Sequence, residues 1–216
     1  MKKFFLFDLD GTLTDTGPGI MGSVQNALGR LGWPPQKDEF LRQFVGPPLT
    51  ESFQRFCGMD PESAEHAIQL YRERYNEWGM YQSPLYPGVD GMLERLSQAV
   101  TLAVATSKRD IGARRIMEMR GIDGYFQAVV GDDGTRPSKA AVIRDVLELL
   151  GGPPAEQVVM VGDRSYDIAG AHACGIEAIG VGYGYAPAGE LTEAEADWQV
   201  DTVVELEALC MKLGAV

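Results

Sequence analysis

Five short, unbroken apolar runs, residues 4–7, 102–105, 128–130, 158–161 and 178–181, set the strongest limit on how this chain can fold. A strand with one wet face alternates apolar and polar residues, so runs without alternation suit strands buried on both faces. Helical patterns lie between the later runs. Residues 89–99 carry apolar side chains at helical spacing, Asp110 is placed to cap a helix that Gly121 ends, and Ser138 to cap one running to Gly151. Strands alternating with helices predict an α/β core, a doubly wound parallel sheet covered on both faces.

Residues 17–79 break that rhythm. They contain no buried-strand run but three or four helical patterns, interrupted by Gly32-Trp33-Pro34-Pro35, Gly46-Pro47-Pro48 and the glycine- and proline-bearing stretch 58–61. An all-helical block placed straight after the first strand reads as a small inserted cap. The expected division is therefore a Rossmann-like core of residues 1–16 and 80–216 and a helical cap of residues 17–79. Phe53, Phe56, Tyr71, Tyr75 and Trp78 are expected to form most of the cap's own core.

The formal net charge of −12 argues against nucleic acid or an anionic membrane as the main partner. Residues 1–7 begin like a signal peptide, but Asp8 and Asp10 stop the apolar run too early, and no segment approaches the ~18 apolar residues of a membrane helix. Cys57, Cys174 and Cys210 are widely spaced and form no Cys-x-x-Cys pair, which speaks against a disulfide framework or a zinc site. A reduced, cytoplasmic protein is expected, either monomer or homodimer.

In an open parallel sheet, ligands bind beyond the carboxyl ends of the strands. Asp8-Leu9-Asp10-Gly11-Thr12 follows the first run, Thr106-Ser107-Lys108 the second, and Gly162-Asp163-Arg164-Ser165-Tyr166-Asp167 the fourth. The fold would thus gather the carboxylates of Asp8, Asp10, Asp163 and Asp167 at one edge, with a hydroxyl and a lysine. Such convergence calls for a hard cation, and Mg²⁺ suits oxygen ligands. Of two carboxylates two residues apart, one can attack phosphorus while the other exchanges a proton with the leaving oxygen. Lys139 adds a separate signal: in the first turn of the helix that Ser138 caps, the macrodipole disfavours a cation unless an anion sits beside it.

At these residues the chain resembles the haloacid dehalogenase superfamily. Its first motif, Asp-x-Asp-Gly-Thr, is matched by residues 8–12, its second by Val104-Ala105-Thr106, its third by the isolated Lys139, and its fourth by Gly162-Asp163 with Asp167. The resemblance covers essentially the whole chain. It implies that Asp8 is the nucleophile and Asp10 the general acid and base. Metal would be held by the Asp8 carboxylate, the Asp10 backbone carbonyl and Asp163, with Asp167 as a neighbour of that site. Thr106, Ser107 through its backbone N–H, and Lys139 would bind phosphate. Lys108 also lies just past a strand end and competes for the lysine role; Lys139 is preferred because Lys108 is expected to be solvated, as most lysines are.

Other features read more plainly. Asp132 and Asp133 with Gly134 look like a tight turn. His66 and His172 have no partner at metal-ligand spacing, and no Gly-x-Gly-x-x-Gly pattern supports a dinucleotide site. Within the superfamily, Asp10 excludes the dehalogenase and phosphonate-cleaving branches, leaving phosphatase or phosphomutase; Gly17-Pro18-Gly19-Ile20 after Asp15-Thr16 is unlike the mutases and favours a Mg²⁺-dependent phosphatase of small phosphomonoesters. The segments 45–49, Tyr86-Pro87-Gly88 and Gly182-Tyr183-Gly184-Tyr185 resemble the phosphoglycolate phosphatase-like branch, which includes 5′-nucleotidases. The cap would choose the leaving group, with residues 45–49 as its specificity loop. A sugar-phosphate mutase and a phosphoaspartate signalling module are the alternatives.

Overall fold

A computed structural model of the protein describes residues 1–214. The chain divides into two compact units, residues 1–14 with everything from Leu85 onward, and Asp15–Pro84. Strand β1 (Phe4–Phe7) opens the first unit, and the chain then leaves it for the second.

The second unit is helical: α1 (Gly17–Arg30), α2 (Asp38–Arg42), α3 (Leu49–Cys57) and α4 (Pro61–Glu77), closed by a single 3₁₀ turn at Gly79–Tyr81. Pro18 sits in the first turn of α1, where no intrahelical N–H is needed, and Ile20, Val24, Ala27 and Leu28 form its buried stripe. Gly58, with φ +65°, ends α3 in the left-handed conformation that favours glycine. Asp60 caps α4 by accepting the Glu62 and Ser63 N–H groups, both at 3.0 Å. Helix α4 packs on α1 and α3. Phe44 gathers Phe53 and Phe56 at ring separations of 5.1 and 5.5 Å, and Tyr71 stacks on Tyr75. Trp78 departs from the expected aromatic core: it is 44% exposed and carries the Arg74 guanidinium over its ring. In the 45–49 segment Val45 is buried, Gly46 turns the chain at φ +104°, and Pro48 leads into α3.

The first unit resumes with α5 (Val89–Ser97), β2 (Thr101–Arg109), α6 (Asp110–Arg120), β3 (Ala128–Asp132), α7 (Lys139–Leu149), β4 (Val158–Gly162), α8 (Ser165–His172), β5 (Glu177–Val181), α9 (Glu190–Glu193), β6 (Trp198–Val200) and α10 (Val203–Gly214). All neighbouring strands are parallel, in the order β3-β2-β1-β4-β5-β6. The five apolar runs became β1 to β5. The sixth strand, Trp198–Val200, went unseen because it is short, lies at the sheet edge and has no apolar run.

Leu6, Ala103, Met160 and Ala178 are buried in one cluster with Val142, Ile143 and Val146 of α7 and Ile168 and Ala171 of α8. Their alternate neighbours Phe5, Phe7, Val104, Val159 and Ile179 are also 0% exposed, so both faces of the sheet are dry. Each buried Val, Leu, Ile, Met or Phe among them stabilises the fold by about 1.5–3 kcal/mol and the alanines by less, and burial on both faces explains why β1 to β5 show no polar alternation. No described helix is long and apolar enough to cross a membrane.

Two local features differ from the sequence expectations. Asp110 does not cap α6; it is the first helical residue, and its Oδ1 accepts the N–H of Gly131 on β3 at 3.0 Å. Gly131 is required there, since a methyl group would fall on the Asp110 backbone and the Lys108 carbonyl. Strand β2 also runs on past Ala105, with a register shift against β3 between Ala105 and Arg109 that re-aims Thr106, Ser107 and Lys108.

Candidate active site

The strand order reverses direction between β1 and β4, and an open parallel sheet leaves a crevice beyond the carboxyl ends of the strands at such a point. Asp8 leaves β1 there, its N–H still donating to Val161 of β4 at 2.9 Å. The loop behind it is tightly closed. Gly11, at φ +84°, donates to Thr14, while the Leu9 carbonyl accepts the Thr14 N–H and hydroxyl at 3.0 and 3.1 Å.

Asp163 leaves β4 beside it and is fully buried. Its Oδ2 accepts the Tyr185 N–H at 2.7 Å, and its Oδ1 accepts the Thr12 hydroxyl at 3.4 Å. Asp167 lies in the first turn of α8, where its Oδ2 accepts the Arg164 N–H at 3.1 Å. It therefore caps the helix, while its other oxygen, Oδ1, pairs with the Lys139 ammonium. One oxygen each of Asp8, Asp163 and Asp167 lie within 4.8 Å of one another, all three residues buried.

Lys139 enters this cluster from the first turn of α7, whose cap is the Ser138 hydroxyl, accepting the Ala141 N–H at 3.3 Å. Its ammonium donates to Asp8 Oδ1 at 2.8 Å and pairs with Asp167 Oδ1 at 2.7 Å. The conflict between a cation and the helix N-terminus is thus relieved by carboxylates of the protein itself. Burial alone would push the Lys139 ammonium down, but Asp167 and Asp8 outweigh it and hold the group well above the ordinary lysine range.

One ammonium does not neutralise three carboxylates. Burial, then the charges of Asp167 and Asp8, push Asp163 well above the usual carboxylate range. Burial likewise pushes Asp167 up to about 6, against the pull of Lys139. A dry cluster of oxygen donors with negative charge in excess is the environment that a hard divalent cation satisfies, so the residues present fit such an ion.

Asp10 sits apart from that cluster by side chain. Its Oδ2 accepts the Lys108 ammonium at 2.8 Å, with the two side chains only 13% and 9% exposed. Lys108 is thus a nearly buried partner of Asp10, not a solvated lysine. The other oxygen, Asp10 Oδ1, is buried with no hydrogen-bond partner among the described residues. Thr106, 1% exposed, follows the β2 segment paired with β1 through Phe7 and Val104, and its hydroxyl accepts the Lys108 N–H at 3.2 Å. Ser107 is half-buried beside it.

Glycines and an ion pair complete the site. A methyl group on Gly162 would fall on the Asp167 carboxyl, and one on Gly170 would crowd the Lys139 stem. Gly162 belongs to the motif read from the sequence; Gly170, like Arg164 and Glu190, was missed, because only the packing of α8 on α7 makes it necessary. Arg164 reaches Glu190 at 2.9 Å, and the same carboxylate accepts the Ser165 N–H at 2.8 Å, pinning the start of α8.

Asp132 and Asp133 accept the N–H groups of Gly134 and Thr135, forming the turn expected of them. His172 pairs with Asp197 at 3.0 Å, away from the three clustered carboxylates. A cavity of about 350 Å³ opens elsewhere, beside β3 and lined by Arg109, Arg114 and Arg136 among others. It includes none of Asp8, Asp163 and Asp167.

Comparison with known proteins agrees with this geometry. Residues 5–181 match the family model described as haloacid dehalogenase-like hydrolase. The chain is 43% identical to a 5′-nucleotidase of Pseudomonas aeruginosa, over 86% of this chain and 85% of that one. It is 34% identical to a phosphoglycolate phosphatase of Chromobacterium violaceum, over 98% and 97%. Among solved structures, a protein of Clostridium acetobutylicum described as a predicted phosphatase superposes with a TM-score of 0.93 at 37% identity, covering 98% of this chain and 99% of that one. The protein tyrosine kinase PtkA of Mycobacterium tuberculosis superposes with 0.84 at 39% identity, covering 97% and 98%. With the parallel sheet, the crevice and the ordered carboxylates already in place, these matches establish that the chain belongs to the haloacid dehalogenase-like hydrolases.

Proposed function

We propose that the protein is a Mg²⁺-dependent phosphatase of small organic phosphomonoesters, working through an aspartyl-phosphate on Asp8. The observation that carries this reading is the buried set of Asp8, Asp163 and Asp167 around the Lys139 ammonium, 2.8 Å from Asp8 Oδ1. The ion would be held by the Asp8 carboxylate, the Asp10 backbone carbonyl and Asp163, with Asp167 beside it. When bound, it supplies positive charge to the phosphoryl oxygens and to the crowded carboxylates.

The chain's own residues divide the work. An Asp8 carboxylate oxygen attacks phosphorus, forming the aspartyl O–P bond as the P–O bond to the leaving alcohol breaks. Asp10 gives its proton to that alcohol. Lys108 holds Asp10 by Oδ2, which leaves the unpartnered Oδ1 for proton exchange. Asp10 then takes a proton from water, whose oxygen attacks phosphorus and releases Asp8 and inorganic phosphate. Lys139, Thr106 and the backbone N–H at Ser107 hold the phosphoryl oxygens, where developing charge is best stabilised by groups already in place.

Phosphoglycolate-like compounds and nucleoside monophosphates are the substrate classes suggested by the similar proteins. In this reading the helical unit selects between them, through residues 45–49. The acidic chain with three unpaired cysteines suits a reduced, cytoplasmic setting. The likeness to a tyrosine kinase favours a second reading, transfer of the phosphoryl group from Asp8 to an acceptor hydroxyl in place of water. Phosphate release from phosphoglycolate, nucleoside monophosphates, sugar phosphates and an aryl phosphate, with and without Mg²⁺, tests the proposal. Metal-dependent release supports a phosphatase. Phosphoryl transfer to an added alcohol or tyrosine without phosphate release supports the second reading.

A further inference from the structure

The turn after β5, Gly182-Tyr183-Gly184-Tyr185, has no part in the chemistry above, yet it reaches both of the loops that carry it. The Tyr183 hydroxyl donates to the Thr12 carbonyl at 2.9 Å. Thr12 in turn donates its own hydroxyl to Asp163 Oδ1 at 3.4 Å. Asp163 Oδ2 accepts the Tyr185 N–H at 2.7 Å, which returns to the same turn. The three contacts close a ring through the loop after β1, the end of β4 and the turn after β5, with both oxygens of Asp163 inside it.

The ring is held firmly at its base. Gly182 N–H donates to Val200 of β6 at 2.8 Å, and the Tyr183 ring meets Tyr86 edge to face at 5.0 Å. Its centre admits no extra atom. A methyl group on Gly184 would fall on the Asp163 side chain and the Gly11 carbonyl, and one on Gly11 would fall on the Asp163 carboxyl. Groups that fix the orientation of a ligating carboxylate set how well it ligates.

We propose that this turn is the positioning element that locks Asp163 to the nucleophile loop, and that the Tyr183 hydroxyl is the bolt which makes the lock. The inference rests on the reading of Asp163 as a metal ligand and Asp8 as nucleophile. A core-filling tyrosine would serve as well without its hydroxyl, so the hydroxyl is what the experiment must isolate.

Tyr183→Phe keeps the ring and removes the bolt. Mg²⁺ alone is titrated calorimetrically into wild-type and variant proteins, amide hydrogen exchange is followed at Gly11 and Thr14, and kcat and KM are measured separately on an aryl phosphate. The lock predicts Mg²⁺ binding weaker by about 10- to 100-fold. It also predicts faster exchange in the loop, and a fall in kcat larger than any rise in KM. Thr12→Val, which breaks the next link, should weaken Mg²⁺ binding similarly, and the double variant should be no worse than either, as expected of links in one ring. Unchanged Mg²⁺ affinity and loop exchange in Tyr183→Phe, even with lowered stability, would make Tyr183 a filler and overturn the proposal. A wild-type protein with no phosphatase activity whose Mg²⁺ binding and loop exchange still respond to Tyr183→Phe would contradict the phosphatase reading and uphold the lock.

Discussion

The same kinds of residue do different work at the middle of the sheet and at its β3 edge. At the middle, Lys139 and Asp8 have side chains only 4% and 7% exposed, and Asp163 is enclosed beside them. At the edge, Arg114 pairs with Asp110 at 2.7 Å while 52% exposed, and its guanidinium also donates to the Val129 carbonyl at 2.5 Å. Arg136 does likewise, donating to the Gly131 carbonyl at 2.8 Å and pairing with Asp133 and Asp145. These edge groups cover backbone atoms of a strand that has a neighbour on one side only. Exposed pairs contribute about 0–1 kcal/mol, whereas breaking a buried pair costs about 3–5 kcal/mol because one charge is left dry and alone. Replacing a buried charge cluster by apolar side chains of similar volume is often neutral or stabilising, so a cluster kept at the centre fits the chemistry proposed for it better than a stabilising role.

Substitutions should separate the two regions, most strongly at the centre. Lys139→Met keeps much of the stem and leaves the clustered carboxylates without their ammonium. It should lower kcat/KM by about 10²- to 10³-fold and destabilise the metal-free protein by about 3 kcal/mol. Mg²⁺ should restore part of that stability, by about 2.7 kcal/mol at a hundred times its dissociation constant. Denaturant unfolding with and without Mg²⁺ measures both numbers.

Gly170→Ala is a milder test of the same region, because its methyl group crowds Lys139 Cβ and Cγ and the Ala140 nitrogen in the first turn of α7 without removing a charge. A loss of about 1–3 kcal/mol is expected, with reduced activity. An unaffected protein would mean that α8 and α7 part easily and that Lys139 is not held rigidly.

The edge should respond least. Arg114→Ala is expected to cost about 1 kcal/mol or less, to matter less at high salt, and to leave kcat and KM unchanged. Asp110 gives the edge a pH signature. Burial works against its ionisation, but Arg114, the Gly131 N–H and Arg136 outweigh it and hold its carboxyl below the usual range. A carboxylate depressed in the folded state contributes stability above its unfolded pKa, about 3.9, and that contribution is lost as pH falls toward the folded value. Asp110→Asn should therefore be less stable than the wild type at neutral pH and converge on it as pH falls below about 4, which flattens the acid limb measured by thermal unfolding.

Legibility in the sequence followed the same divide. The placement of residues with a local pattern was readable: Asp8 and Asp10 after an apolar run, Asp163 after Gly162, Lys139 after a capping serine. Strands β1 to β5 were readable because burial on both faces removes polar alternation. What depended on distant packing was not. Lys108 could not be assigned to Asp10 without the parallel register that sets β2 beside β1. The Tyr183 contact to Thr12 joins positions 171 residues apart, and nothing local marks it. Asp110 looked like a cap because helix starts favour aspartate, but the Gly131 N–H and Arg114 compete for the same oxygens.

The proposed chemistry stands or falls on Asp8 taking the phosphoryl group. Acid quenching during turnover of a phosphomonoester, followed by mass spectrometry of the peptide containing Asp8, tests it most directly. The account predicts a Mg²⁺-dependent phosphoryl adduct on Asp8, absent from Asp8→Asn, together with an activity loss of about 10⁴-fold or more in that variant. Turnover with no adduct on Asp8, or an Asp8→Asn protein that still hydrolyses at near the wild-type rate, would contradict it.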